Sequence, residues 1–368
     1  MENILLLVIG FLIAALMGQV IIPRILLISL RKRLFDIPDE RKVHTHPIPR
    51  LGGVTFFPTI LFVLCFMLAY RVIFEHLPNE IFTPSMASEM LLMMAGLTLL
   101  YIVGIGDDLV GVRYKKKFYV QIASASLFPM GGLYINDFYG LLGIHAVTPW
   151  VGIPLTVLLV VFITNAINLI DGIDGLASSI CIVALSVFGF IFAMAEYWMY
   201  ALLAFTSVGV LIPFFGYNVF GNPERGRKIF MGDTGSLTLG YILSFLVIKY
   251  CMHTEMEAIS INEAPIVVAF SILLVPCLDV IRVVLGRVRR GKSPFLPDKT
   301  HIHHKFMAMG FTPRSSLILI QVISTFFIMC TLLAVHFHID VNFIFIFDVV
   351  VWTLLNIWFS KVILRKLG

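Results

Sequence analysis

Carboxylates in this 368-residue chain recur in short groups flanked by glycine. Asp107 and Asp108 stand side by side in GIGDDLVGVRYKKK, while TNAINLIDGIDGLASS sets Asn165, Asn168, Asp171 and Asp174 at steps of three. Adjacent helical residues point about 100° apart, so Asp107 and Asp108 are expected to divide their roles, one facing a site and one holding structure. Two acids at a helix C-terminus also oppose its dipole and need a compensating reason. Three helical steps turn about 300°, so each successive polar group in the second motif drifts back by about 60°. The four then spread over half the circumference unless Gly172 and Gly175 unwind the turn and let them converge. Two carboxylates and two amides beside an apolar helix suit divalent metal, ribose or phosphate chemistry through oxygen ligands. The plainer alternatives are a solvated helix end for the acid pair and an interhelical packing network for 165–174.

Three further motifs carry polar chemistry. DIPDERKVHTHPIPRLGG, from Asp36 to Gly53, is too rich in proline for regular helix and offers Arg41, Lys42, His44 and Arg50 to phosphate oxygens from a loop; as a bland alternative, these cations anchor the chain at a membrane surface. In GYNVFGNPERGRKIFMGDTGSL, Asn218 ends one helix and Asp233 lies in a glycine-flanked turn before the next, a sequence that resembles an anion nest. A capping aspartate is the alternative. In the stretch that includes PDKTHIHHKFMAMG, His301, His303 and His304 sit beside Asp298, Lys299 and Lys305. No cysteine or HExxH accompanies them, so imidazoles that donate hydrogen bonds to phosphate are favoured over zinc ligands. Upstream, Asp279 and Arg282 have the i, i+3 spacing of an ion pair.

The elements that must position these groups are set by composition. The chain is 59% hydrophobic and 13% charged, with a mean hydropathy of +0.96, against about 25% charged in soluble domains. A soluble enzyme is excluded. Eleven apolar runs, near 4–23, 54–74, 86–105, 118–135, 149–165, 178–195, 198–220, 237–252, 265–285, 315–335 and 341–364, predict an all-α polytopic membrane protein of about 10–11 transmembrane helices, with residues 1–368 forming one integral-membrane domain. The first run lacks a basic n-region and precedes Arg24, Arg31, Lys32 and Arg33, which predicts a retained helix with its N-terminus outside. That orientation puts 25 of the 27 Lys and Arg residues in cytoplasmic segments and leaves only Arg71 and Lys249 elsewhere. Glu75, Glu80, Glu89, Asp137, Glu196, Glu255, Glu257, Glu263 and Asp340 fall on or near the outer face. The C-terminus and every polar motif are therefore expected on the cytoplasmic side, in loops at about 24–53, 106–117, 166–177, 221–236 and 286–314. Net charge of +5 is thus a topology signal, with no nucleic-acid partner implied. The five cysteines lie singly in apolar stretches and read as core residues. A secondary transporter would need ionisable residues deep in several spans, where only Asp348 and Asp279 qualify, and an intramembrane protease lacks its motif.

Taken in order from Asp36 to Gly310, the five motifs, with NLIDGIDGL, MGDTGS and DKTHIHH foremost, resemble the polyprenyl-phosphate N-acetylhexosamine-1-phosphate transferase superfamily. Within it they look most like bacterial undecaprenyl-phosphate N-acetylglucosamine-1-phosphate transferases; HIHH stands where the muramoyl-pentapeptide branch carries three histidines and a glutamate. The resemblance implies transfer of a sugar 1-phosphate from a UDP-N-acetyl sugar to undecaprenyl phosphate, releasing UMP, with Mg²⁺ or Mn²⁺, at a bacterial inner membrane. UDP-GlcNAc is the default donor, and dimerisation is left open. By resemblance, Asp233 matches the metal-binding aspartate, Asp107 and Asp108 the paired acidic motif, and Asp171 and Asp174 the nucleotide-sugar site. Asn168 and Asn218 fall near substrate, and Arg50, Lys117, His301 and His303 match the basic set, with His304 beside them. A largely dianionic lipid phosphate hardly needs a general base, so direct attack on the β-phosphorus is favoured and an aspartyl-phosphate intermediate stays open.

Overall fold

Each of the eleven apolar runs forms helix in a computed structural model of the chain, which describes residues 2–36, 47–74, 83–253, 264–293 and 300–367. The helices are α1 (Glu2–Lys32), α2 (Phe56–Phe74), α3 (Pro84–Val110), α4 (Tyr114–Met130), α5 (Pro149–Ile170), α6 (Leu176–Met194), α7 (Trp198–Val219), α8 (Gly232–Cys251), α9 (Pro265–Ile272), α10 (Leu274–Arg289), α11 (Ile302–Ala308), α12 (Pro313–His336) and α13 (Val341–Leu367). Strand is confined, among the described residues, to an antiparallel pair, Phe35–Asp36 with Ile48–Pro49. Arg41, Lys42, His44, Asp298 and Lys299, together with the acids Glu75, Glu80, Glu255, Glu257 and Glu263, lie outside the described residues.

Among the described residues, nine of these helices are long and apolar enough to cross a membrane. The fold is therefore an all-α, multi-pass membrane protein. Two departures from eleven straight spans have local causes. The run at 265–285 is broken into α9 and α10, bent by 73°; Pro276 has no N–H to offer the carbonyl of Ile272, where α9 stops. With Tyr114–Met130, α4 has 17 residues and ends at Pro129 and Gly131, short of the ~20 residues that a straight span requires.

At the centre stands α8. Its apolar window is entirely buried although its mean hydropathy, 1.3, is the lowest of the nine spans. Between helices in lipid, close packing and hydrogen bonds replace the hydrophobic drive, and small residues permit it. A Cβ on Gly104 of α3 would come 2.6 Å from Thr234 Cα, and one on Gly240 of α8 would come 2.7 Å from Thr164 Cα of α5. Hydroxyls of Thr238 and Ser244 are satisfied by the carbonyls one turn back, Thr234 O and Gly240 O, at 2.7 Å each. Thus α3, α5 and α8 meet backbone to backbone, and the C-terminal ends of α3, α5 and α7 gather with the N-terminal ends of α4, α6 and α8 at one end of the bundle.

Candidate active site

Asp108 is the first group placed by this packing. Its Oδ1 accepts from Asp233 N at 2.8 Å, and its Oδ2 accepts from Thr234 N at 3.0 Å and Thr234 Oγ1 at 2.6 Å. These N–H groups open α8, where the helix dipole favours an anion. The MGDTGS turn does catch an anion, and that anion is the carboxylate of α3. Gly232, at φ +71°, is required here, since a Cβ would fall 2.1 Å from Arg50 O and 2.5 Å from Asp108 Oδ2. Asp233 itself occupies the first turn of α8, so the structure replaces the expected turn before the helix with the helix start.

Asp107 takes the other role. Its Oδ1 accepts from Val112 N at 2.6 Å, and its Oδ2 accepts from Lys117 Nζ at 3.3 Å. The same ammonium donates to Asp233 Oδ2 at 2.5 Å, so carboxylates 126 positions apart share one cation. Arg50 adds a second, with Nη2 3.9 Å from Asp233 Oδ1. It is delivered by the loop before α2, which pairs with the segment before α8 through Phe230 N to Pro49 O at 2.7 Å, Gly52 N to Phe230 O at 2.9 Å and Gly53 N to Met231 O at 2.8 Å. The division of labour expected of adjacent acids is therefore what the structure has.

The third motif unwinds where its glycines allow. Helix α5 ends at Ile170 and α6 starts at Leu176, so Asp171 and Asp174 lie on the intervening turn. Still on α5, Asn165 exchanges hydrogen bonds with Gln121 of α4 at 2.7 and 3.3 Å, and Asn168 Nδ2 donates to Ser236 Oγ at 2.8 Å. Asp174 Oδ2 accepts from Lys228 Nζ at 2.5 Å. Asp171 has no hydrogen-bond or ion-pair partner among the described residues. Burial, and then the charges of Asp233 and Asp174, push its carboxyl up to about 7. Asn218 of α7 is buried, with Oδ1 accepting from Gly175 N at 2.6 Å and Nδ2 donating to Ile229 O at 2.9 Å. Both ends of this amide are spent on backbone, so it ties the Asp171–Asp174 turn to the strand-like approach to α8.

The histidine motif closes the site from the side of α10. Asp279, fully buried, accepts from Arg282 Nη2 at 2.6 Å, as its spacing predicts, and from Ile302 N at 3.1 Å, and it pairs with His301 Nδ1 at 2.8 Å. His303 is held between His301, whose ring is parallel at 5.9 Å, and His304, with ring centroids 4.2 Å apart. Its Nε2 packs against Gly172, where a Cβ would be 2.2 Å away. Burial depresses the His303 pKa to about 3, with His304 adding to the effect; the ring is neutral at physiological pH and can give phosphate an N–H, not a charge. Its buried Nδ1 has no partner among the described residues.

The structure thus brings Arg50, Asp107, Asp108, Lys117, Asn168, Asp171, Asp174, Asn218, Asp233, His301, His303 and His304 to one end of the bundle. Two contributors go unread in the sequence. Gln121 is a lone amide inside the apolar run 118–135, which was its signal; Lys228 stands in RGRKIF among basic residues that read as a topology signal alone. Among the described residues, no three His, Cys, Asp or Glu side chains are grouped to enclose a metal ion. The converging oxygens of Asp107 and Asp233 nevertheless suit Mg²⁺, which is bound through one or two carboxylates with substrate phosphates and water completing its shell.

The model of glycosyl transferase family 4 matches residues 90–251. Over 328 residues the chain is 32% identical to a probable undecaprenyl-phosphate N-acetylglucosaminyl 1-phosphate transferase of Bacillus subtilis (strain 168), covering 89% of this chain and 84% of that protein. It is 31% identical over 300 residues to the undecaprenyl-phosphate alpha-N-acetylglucosaminyl 1-phosphate transferase of Yersinia pestis (80% and 74% covered). To the protein of the same name in Escherichia coli (strain K12) it is 28% identical over 307 residues (83% and 77% covered).

Proposed function

This chain belongs to glycosyl transferase family 4, and from that premise we propose that it transfers N-acetylglucosamine 1-phosphate from UDP-GlcNAc to undecaprenyl phosphate, releasing UMP. The observation that carries the reading is the convergence of Asp107, Asp233 and Asp171 with Lys117 and Arg50 at one end of a membrane bundle. A lipid-borne phosphate and a water-soluble diphosphate can meet only at such a level. The basic asymmetry of the loops assigns this end to the cytoplasm, and the membrane is the bacterial inner membrane.

Both reactants are anions, so the site must lower their repulsion before they can react. Lys117 and Arg50 supply fixed positive charge. Asp107 and Asp233 are the pair that would hold Mg²⁺ or Mn²⁺, whose chemistry there is neutralisation of the donor's pyrophosphate oxygens. An oxygen of the acceptor phosphate attacks the β-phosphorus; the new P–O bond forms as the bond from that phosphorus to the bridging oxygen breaks, and UMP leaves with the electron pair. With its second pKa near 6, the acceptor is largely dianionic at neutral pH, so no side chain has to take a proton. Asp108 has both oxygens engaged at the start of α8 and serves to place Asp233. His303 and the Asp171–Asp174 turn form the wall on which the donor's uridine diphosphate is oriented.

Purified protein supplied with undecaprenyl phosphate, UDP-GlcNAc and Mg²⁺ should release UMP and form a GlcNAc-diphosphate lipid. Chelation of the metal with EDTA should stop the reaction, and Asp233→Asn should slow it by roughly 10²-fold, the scale of losing one electrostatic stabiliser. If neither product forms with any UDP-N-acetylhexosamine, the proposal is wrong.

A further inference from the structure

The histidine helix is too short to position itself. Seven residues make about two turns, well under the length at which an isolated helix holds together in water. One side of α11 is fixed by Asp279, as described above. On the other side, Lys305 Nζ donates to Asn356 O and Asn356 Oδ1, at 3.3 Å each, and to Ser360 Oγ at 3.0 Å. These acceptors belong to α13, outside the 90–251 region matched by the family model. The Phe306 ring packs on Phe359 with centroids 4.9 Å apart, and both residues are buried. At the end of α11, Lys366 Nζ donates to Met309 O at 2.5 Å, placing a cation where the helix leaves carbonyls unpaired. Two lysines, one from each helix, therefore cross the α11–α13 boundary in opposite directions around an aromatic contact.

We infer that Lys305 is a positioning residue: by clamping α11 to α13 through Asn356 and Ser360, it holds His303 against the Asp171–Asp174 turn. It acts through α13 and does not touch substrate. Among the described residues, the hydrogen bonds of its ammonium all go to α13, away from the histidines. The inference rests on the transferase reading for its catalytic readout and on the fold alone for its mechanical one.

The test uses the full-length protein in detergent with Lys305→Met, Ser360→Ala and the double variant. Hydrogen exchange followed by mass spectrometry reads the clamp without any turnover. Amides of 303–309 should exchange at least about tenfold faster in Lys305→Met, with α8 unchanged. In UMP release, Lys305→Met should lower kcat about tenfold and leave the KM for UDP-GlcNAc within about twofold, because the misplaced wall affects orientation more than capture. Ser360→Ala should show the same pattern more weakly, and the double variant should lose less than about twofold beyond Lys305→Met, since both act through one contact. A raised KM together with multiplicative losses in the double variant would assign Lys305 to the substrate and overturn the inference. So would unchanged exchange in α11. Should wild-type protein release no UMP, the transferase reading fails, and the exchange experiment still decides the clamp. Ser360→Ala removes only a hydroxyl, which keeps the test valid if Lys305→Met fails to fold.

Discussion

Substituting Asp108 by Asn separates the two members of the acid pair more sharply than any other change. Asp108 receives three donors on its two oxygens, two of them backbone N–H groups at the start of α8. An amide presents one acceptor oxygen and, on the other side, an NH₂ that faces a donor. At least one hydrogen bond to a charged group is therefore lost, about 1.5–3 kcal/mol. The carboxylate's favourable interaction with the helix terminus, about 0.3–1 kcal/mol, goes with it. The sum is about 2–4 kcal/mol, equivalent to roughly 30- to 800-fold if expressed wholly in turnover. Because the bonded N–H groups are those of Asp233 and its neighbour, the loss should be shared between kcat and the thermal midpoint of unfolding. Asp107→Asn, by contrast, relieves crowding of two carboxylates around Lys117 and should cost turnover with no loss of thermal midpoint. The assay is UMP release paired with fluorescence-detected unfolding of the same preparations. The reasoning is refuted if Asp108→Asn retains turnover within threefold and an unchanged midpoint, or if Asp107→Asn proves the less stable of the two.

Gly172→Ala places a methyl 2.2 Å from His303 Nε2 and should lower UMP release at least about tenfold; adding His303→Ala should recover thermal stability though not activity, and failure of that recovery would remove the contact from the account. His303 is held at about 3, below its ordinary value, so the unfolded chain takes up its proton first as pH falls below 6.5. Stability from a neutral His303 is complete above 6.5 and is lost toward pH 3, so wild type should lose about 2 kcal/mol relative to His303→Gln between pH 6.5 and pH 5, measured by denaturant titration. At the other end of the bundle, Lys249 Nζ lies 3.4 Å from Glu89 Oε1 and 5.2 Å from the centre of the Tyr200 ring, while Tyr200 OH bonds Glu89 Oε2; Glu89→Gln should cost about 1–3 kcal/mol of stability by weakening charge-assisted hydrogen bonds in a buried group. Turnover per folded molecule should be unchanged, and Glu89→Leu with Lys249→Met should restore most of the midpoint.

Local spacing carried the parts of this site whose partners are local. The i, i+3 pair of Asp279 and Arg282 was legible because helical geometry alone decides it, while for the break at Gly172 and Gly175 the spacing left two outcomes, a continuous helix with spread polar groups or an unwound turn. Apolar runs marked every helix but α11, yet they stop at the first polar residues, whereas α3 continues to Val110 and α5 to Ile170 through polar residues with no reason to stop helix. Asp107, Asp108, Asn165 and Asn168 are therefore more regularly helical than hydropathy suggests. What the sequence hides is pairing across distance. Nothing near Asp108 names Thr234 as its partner, 126 residues away, and nothing near His303 names Gly172. The bend at Leu273 was foreshadowed by Pro276, but a proline inside an apolar run is also tolerated in straight membrane helices, as Pro213 is in α7.

The buried charges explain why the proposed chemistry is confined to one end. In the apolar interior an ion must be paired or it neutralises, and Glu89 meets this demand through Lys249 and Tyr200, as Asp279 does through Arg282 and His301. A transporter would need such groups to exchange partners across the bundle, whereas along α8 the hydroxyls of Thr238 and Ser244 bond within the helix, and its backbone packs on α5 at Gly240 and on Gly104 of α3. Those same contacts leave Asp233 little freedom. Its backbone is gripped by Asp108 and its side chain by Lys117, so the position of the site's central carboxylate is set by α3 and α4 as firmly as by α8 itself. Asp107, Asp108, Lys117 and Asp233 form one mechanical unit, and this is the physical reason that an acid pair, a lysine ten residues on and a distant GDTG belong to the same site.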